Sequence, residues 1–450
     1  MKPQTTLDSK SLKPALAALA KRNAAYARRF PGDFAGRQPV HTVYGGAHLF
    51  KSDSAAKLGE LALRSLSRYA PDAATFALAL GLDAALALKV YDRVVDKLKR
   101  EPVEDFRIDF EDGYGNRPDA EEDGHAVSAA LEVARGLEEN TLPPFLGIRI
   151  KTFSNELAGR SVRTMDIFLT TLIRQTKGHL PPWFCVTLPK IVHPGQAATL
   201  AQLLGAFEKK KKLAPNTIKV ELMVETPQSI IGADGTSPLR AMVDALGERC
   251  TGAHFGTYDY TASCNITAAH QHMLHASCAF AKSVMQVTLA GTGVTMSDGA
   301  TNVMPVAPHR AAPGAYLSAE QDRENVEAVR RAWRLHFEHA TNSLVNGFYQ
   351  GWDLHPAQLP TRYAAVDAFF LSGLPAATAR LKNFIEKAAQ ATLVGDVFDD
   401  AATGQGLLNY FLRARNCGAI TAEEAAATGL TPEEFASRSF LKILEGRRAH

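Results

Sequence analysis

Apolar and polar positions follow two alternating patterns along the chain. Short runs rich in Val, Ile, Phe and Thr begin near Thr42 (TVYGG), Phe106 (FRIDF), Leu146 (LGIRI), Phe184 (FCVTL), Lys219 (KVELMV), Thr251 (TGAHFG), Gln286 (QVTLAG) and Phe348 (FYQGWDL). Between them lie longer stretches whose apolar residues recur every three or four positions, the spacing of one helix face. Successive runs start 64, 40, 38, 35, 32, 35 and 62 residues apart. The middle intervals fit one strand, one helix and two loops, the unit of a βα barrel. The two long intervals have room for extra helices, over residues 71–100 and 318–339.

Eight such runs predict an α/β fold, a TIM (β/α)8 barrel, with a doubly wound open sheet as the alternative. Residues 1–40 read as an N-terminal helical extension, with Leu12, Leu16, Leu19 and Ala20 at helical spacing and Pro31-Gly32 as its stop. The barrel is expected over residues 41–360. Beyond Pro360 the alternation ends, and residues 361–450 read as a helical C-terminal segment (RYAAVDAFFL, AATARLKNFIEKAAQ, GLLNYFLRAR, TPEEFASRSFLKIL) that could serve as a lid.

Composition narrows the function classes. The length of 450 residues admits about three domains or one barrel with extensions. A hydrophobic share of 46% and a charged share of 22% exclude a mainly disordered chain. Fifty Lys+Arg against 47 Asp+Glu leave +3, too small a charge to point to nucleic acid or membrane as partner. The richest apolar run, 76–90, is interrupted by Asp83 and falls short of the roughly 18 residues of a membrane helix. The N-terminal residues lack the apolar core of a secretory signal. Five cysteines, an odd number and widely spaced, read as free thiols in a reducing cytoplasm.

In a TIM barrel the chemistry sits at the C-terminal ends of the strands. The second run ends Arg107-Ile-Asp109-Phe-Glu111-Asp112-Gly113, and its two-residue period puts Asp109 and Glu111 on one face above Arg107. The third run supplies Arg149, the fifth Glu225 at the rim above Glu221, and the sixth Asp259. Gly45-Gly46 could approach a phosphate, and Asp298 of Ser297-Asp298-Gly299 could line the mouth. His270, His272 and His275 read as helix histidines or pocket lining. Singly, each carboxylate is equally well a salt-bridge partner or a helix cap. Collected at one mouth they repel one another unless a cation is present, and hard oxygen ligands suit Mg²⁺ or Mn²⁺.

The segments IDFEDGY, GIRI, TLPKI, ELMVETPQSI, HFGTYDYTA and GWDLHPAQL, in this order, resemble the aldolase/citrate lyase family, which includes citrate lyase β-subunits and malyl-CoA lyases. DFED and the G-x-x-DY element also look like the malate synthase barrel. The resemblance spans roughly residues 40–400. It implies a Mg²⁺-dependent carbon–carbon lyase in which Glu225 and Asp259 are the metal ligands and Arg149 binds the substrate carbonyl or developing enolate. It further implies that Asp109, Glu111 and Asp112 hold metal-bound water and orient the arginine, and that Lys190 and His355-Pro356-x-Gln358 are rim elements. Asp399 or Asp400, where the family carries a lid, would be the base. In the lyases that aspartate comes from a neighbouring subunit, so a homo-oligomer is expected. The strand-one arginine that meets CoA phosphates in relatives is absent here, so the expected substrate is a small oxo- or hydroxy-acid, or its CoA thioester.

Two other readings compete. One is a Schiff-base aldolase using Lys190 or Lys151. The other is a catalytically silent barrel acting as a binding protein, although such a barrel has no reason to gather mutually repelling carboxylates.

Overall fold

The computed structural model describes residues 6–386, 392–394, 397–399 and 401–448. In chain order the first elements are α1 (Ser9–Arg29), β1 (His41–Gly46), α2 (Ser54–Tyr69), α3 (Ala73–Leu80), α4 (Ala87–Arg100), β2 (Asp105–Asp109), α5 (Asp119–Glu139), β3 (Phe145–Arg149) and α6 (Ala158–Gln175). There follow β4 (Cys185–Leu188), α7 (Pro194–Lys211), β5 (Lys219–Val224), α8 (Pro227–Ile230), α9 (Leu239–Leu246), β6 (Cys250–Phe255), α10 (Thr257–Ser263), α11 (Ala276–Leu289), β7 (Thr295–Ala300), α12 (Ala319–Val345), β8 (Gln350–Asp353) and α13 (Leu359–Glu386). A hairpin of β9 (Thr392–Val394) and β10 (Val397–Asp399) then leads into α14 (Ala401–Asn416), α15 (Ala422–Ala426), α16 (Pro432–Ser437) and α17 (Phe440–Arg448).

Strands β1 to β8 pair in sequence order, all parallel, and β8 closes on β1. The fold is the TIM barrel that the strand spacing predicts, and an open sheet is excluded. The extra helices fill the two long intervals, as α3 and α4 in the first and α12 in the last.

One strand was misplaced by the apolar pattern. Gln286-Val-Thr-Leu lies inside α11, and the seventh strand is Thr295–Ala300 instead. Its sequence TMSDGA carries little apolar signal, because its alternate side chains meet a polar barrel interior on one side and Lys282 with Ser343 on the other. The two helical stretches expected just after Pro360 are one helix, α13, continuous through Pro375. All five cysteines are free. Among the described residues no helix is long and apolar enough to cross a membrane.

Buried polar groups tie the barrel together on both sides of the sheet. Inside it, Arg107 donates to Asp105, to Thr187 Oγ1 (3.2 Å) and to Glu221 Oε2 (2.7 Å). His254 Nε2 reaches the same Glu221 oxygen at 2.9 Å. Burial alone would raise the Glu221 carboxyl, but Arg107 and His254 hold it below the usual carboxylate range. Outside it, at the closing seam, Asp353 of β8 accepts from Arg362 of α13 (Nη2, 2.9 Å) and pairs with His336 of α12 (2.9 Å) and His41 of β1 (2.8 Å). That one carboxylate joins both closing strands to two outer helices.

Candidate active site at the C-terminal mouth

Asp109 is the last residue of β2 and is fully buried. Its carboxylate accepts from the main-chain N–H of Glu111 (Oδ1, 2.9 Å) and of Gly113 (Oδ2, 2.7 Å), because the chain turns back over it after the strand. Arg149, the last residue of β3 and Asp109's partner in register, closes the set. Its Nε lies 2.7 Å from Oδ1, and its Nη2 donates to Oδ2. This two-pronged contact fixes the plane of the guanidinium. The Tyr44 ring of β1 lies 4.8 Å from Arg149 Cζ, and Nη1 stands 3.3 Å from Glu111 Oε2. The arginine is thus held from three sides at the mouth of the barrel.

Two strands further round the barrel, Glu225 follows β5 and is almost completely buried. Its Oε1 accepts the Lys190 main-chain N–H at 2.8 Å. Burial pushes its carboxyl up to about 8, against the pull of Lys190 and with Asp259 and Glu111 adding to the rise. Asp259 lies in the first turn of α10, and its Oδ2 is 3.6 Å from Lys190 Nζ. The same ammonium pairs with Glu111 and, at 2.9 Å, with Asp112 Oδ2. Glu111, Asp112, Glu225 and Asp259 therefore converge on Lys190, next to the Arg149–Asp109 pair.

Other residues singled out in the sequence have different surroundings. Asp298 is buried on the helix side of β7, where Lys282 Nζ (2.8 Å) and Ser343 Oγ (2.7 Å) both donate to it. A Cβ at Gly45 would stand 2.6 Å from the Phe106 ring, and one at Gly46 would stand 2.4 Å from the Gly113 carbonyl, so close packing accounts for both glycines. Lys151 is buried against the Phe110 carbonyl and Glu122. Lys190, despite burial, is held well up in pKa by Glu225, Glu111 and Asp259, and a protonated amine does not attack a carbonyl. Both Schiff-base candidates are thus ion-paired to carboxylates in this structure. His275 caps α11 by accepting from Ser277 N–H (3.1 Å), and its ring lies 5.9 Å from that of His272. Gln358 accepts from Leu354 N–H (2.8 Å) and donates to the Thr301 carbonyl (2.9 Å), bracing the turn after β8. Asp399 ends β10 in the backbone; its side chain and all of Asp400 lie outside the described residues.

Strand ends alone do not reveal three residues of the mouth. Tyr44 was legible as an inward position of β1. Gly113 and Gly256 were not, since their role is to leave room. A Cβ at Gly113 would meet Asp109 Oδ2 at 2.6 Å, and one at Gly256 would meet Glu225 Oε2 at 2.4 Å. Gly256→Ala is expected to lower stability by about 1–3 kcal/mol through overpacking, measured by urea denaturation. A variant as stable as wild type would mean that Glu225 yields freely.

Two cavities lie elsewhere. A cleft of about 1020 Å³ is lined by residues of α4, α13, α14 and α16, and a cavity of about 330 Å³ opens at the N-terminal end of the barrel beside Trp183. Neither touches Arg149, Glu225 or Asp259. The convergence of ionisable groups at the C-terminal mouth, not volume, marks the candidate site.

Comparison with solved structures agrees on the fold. A citrate lyase from Burkholderia xenovorans LB400 aligns over 87% of this chain and 97% of its own, with TM-score 0.55 and 19% identity. Protein CitE from Mycobacterium tuberculosis, in complex with magnesium, acetoacetate and coenzyme A, aligns over 85% and 98%, with TM-score 0.46 and 14% identity. Haloferax volcanii malate synthase aligns over 90% and 99%, with TM-score 0.47 and 12% identity. At such identities the likeness is one of fold, carried by the first of the three, and at that level it bears out the resemblance to citrate lyase. No curated protein sequence matches the chain. Residues 19–443 match the family described as "Domain of unknown function (DUF6986)", and the chain belongs to that family.

Proposed function

We propose that the protein is a divalent-metal-dependent carbon–carbon lyase, or the corresponding condensing enzyme, acting on a small oxo- or hydroxy-acid or its CoA thioester. The observation that carries this reading is the meeting of a rigidly held guanidinium, Arg149, with four further carboxylates at one barrel mouth.

The donor set fits Mg²⁺ or Mn²⁺. Among the described residues no group of three or more His, Cys, Asp or Glu side chains forms a metal cage. Magnesium needs no such cage, since it is commonly held by one or two carboxylates with water or substrate in its other positions. Glu225 and Asp259 would be those two, and the raised pKa of the buried Glu225 marks a carboxylate that lacks full compensation for its charge. A divalent ion bound there would supply Lewis acidity toward a substrate carbonyl.

The chain's own residues do the rest. Breaking a carbon–carbon bond next to a carbonyl leaves an enolate, and Arg149 is the fixed donor that would stabilise its charge. Asp109 holds that donor in place, which leaves Nη1 beside Glu111 at the mouth. Tyr44, against the guanidinium, keeps water from one side of it.

The test is a calorimetric titration with Mg²⁺ and Mn²⁺. Glu225→Gln is expected to weaken binding at least about tenfold, by removing one of two anionic ligands. Unchanged affinity would dismiss the metal assignment.

A further inference from the structure

The carboxylates proposed to hold a divalent ion already face a cation of the chain itself. Lys190 comes two residues after β4, with φ of 51°, a left-handed conformation that non-glycine residues adopt rarely. Two separate contacts follow from it. The main-chain N–H donates to Glu225 Oε1 (2.8 Å), while Nζ lies against Glu111 Oε1 (2.5 Å), Asp112 Oδ2 (2.9 Å) and Asp259 Oδ2 (3.6 Å). One residue thus touches every carboxylate of the mouth except Asp109, which Arg149 holds.

A doubly charged ion on Asp259 and an ammonium 3.6 Å from that carboxylate would face each other at a partly exposed mouth, where like charges a few ångströms apart still repel. The two contacts of Lys190 differ in what they can yield. The N–H belongs to the backbone and stays. The ammonium sits on a stem of four rotatable bonds, and the side chain is 26% exposed, so it has water to move into.

We infer that Lys190 is a displaceable counter-cation of the metal site: its ammonium holds Glu111, Asp112 and Asp259 together without metal and must give way for a divalent ion to bind, while its backbone N–H keeps Glu225 aimed in both states. The inference rests on the metal reading proposed above. It makes Lys190 a positioning residue that lowers metal affinity, the opposite of what an added polar group at a metal site would ordinarily do.

The experiment is calorimetric titration of the full chain with Mn²⁺ in wild type, Lys190→Gln, Lys190→Arg and Glu225→Gln, paired with thermal unfolding with and without metal. Lys190→Gln should bind Mn²⁺ at least tenfold more tightly than wild type, melt lower without metal, and gain more in melting temperature when metal is added. Lys190→Arg, which keeps a cation at the site, should bind no more tightly than wild type. A purely structural lysine would give equal or weaker affinity in Lys190→Gln, and that result overturns the inference. Should Lys190→Gln be too unstable to titrate, refolding in Mn²⁺ is the second readout, and failure of metal to restore the fold also overturns it. Binding lost in Glu225→Gln but unaltered in Lys190→Gln sinks this inference alone. Binding unaltered in Glu225→Gln sinks the metal reading and the inference with it.

Discussion

Arg149→Lys is expected to lower turnover of the true substrate by about 10²–10³-fold, the usual effect of removing one positioned donor from a developing oxyanion. The guanidinium meets both oxygens of Asp109, lies against the Tyr44 ring and still presents Nη1 at the mouth. An ammonium is a point charge on a flexible stem, so it can satisfy Asp109 or reach the substrate, but not both in a fixed plane. Folding should survive, because Asp109 keeps its two main-chain donors, Glu111 and Gly113. Steady-state kinetics on a panel of small oxo- and hydroxy-acids and their CoA thioesters, with melting temperature as the control, decides the matter. Near wild-type turnover in the lysine variant would make Arg149 a structural residue and remove the centre of the proposed mechanism.

The second large effect lies in the fold. Asp353→Asn should destabilise the protein by about 3–5 kcal/mol, because it strands the buried Arg362 guanidinium without its counter-charge. Urea denaturation measures this directly, and a loss under about 1 kcal/mol would rule out the seam as an energetic hub.

The same cluster sets a pH dependence. Burial keeps His336 lower in pKa than a free histidine, so below about 6.5 the unfolded chain takes up a proton that the fold refuses. Stability therefore falls as pH drops through that region. Asp353 is held well below a free carboxylate, since Arg362 and His336 outweigh the effect of its burial. It adds a second loss below about pH 4, where the unfolded aspartate protonates first. Asp353→Asn should remove that second loss and leave the first. An unchanged acid limb in the variant would place the acid sensitivity elsewhere.

Much of this architecture could be read from local pattern. Seven of the eight strands, the extra helices of the two long intervals, Asp109 and Arg149 at strand ends and Glu225 just beyond one all follow from spacing and two-residue alternation, whereas Asp259, expected to end strand six, lies in the first turn of α10, because β6 stops at Phe255. Such features are legible because each depends on residues close in sequence. Strand β7 was not, because burial on its helix side is satisfied by polar partners that come from α11 and α12, 16 and 45 residues from Asp298.

Direction and company were decided only by the tertiary structure. Whether Asp298 faced the mouth or the helices depended on the register of a strand whose start the sequence did not mark. Lys190 gains its meaning from Glu111, 79 residues away, and from Glu225, 35 residues away. Gly113 and Gly256 matter through the space they leave for carboxylates rather than through any group they carry. Sequence by itself determined that this chain forms a parallel barrel with acidic and basic residues at its strand ends. Closure of that barrel determined which of them meet, because contacts between distant residues form only when every strand is in register at once.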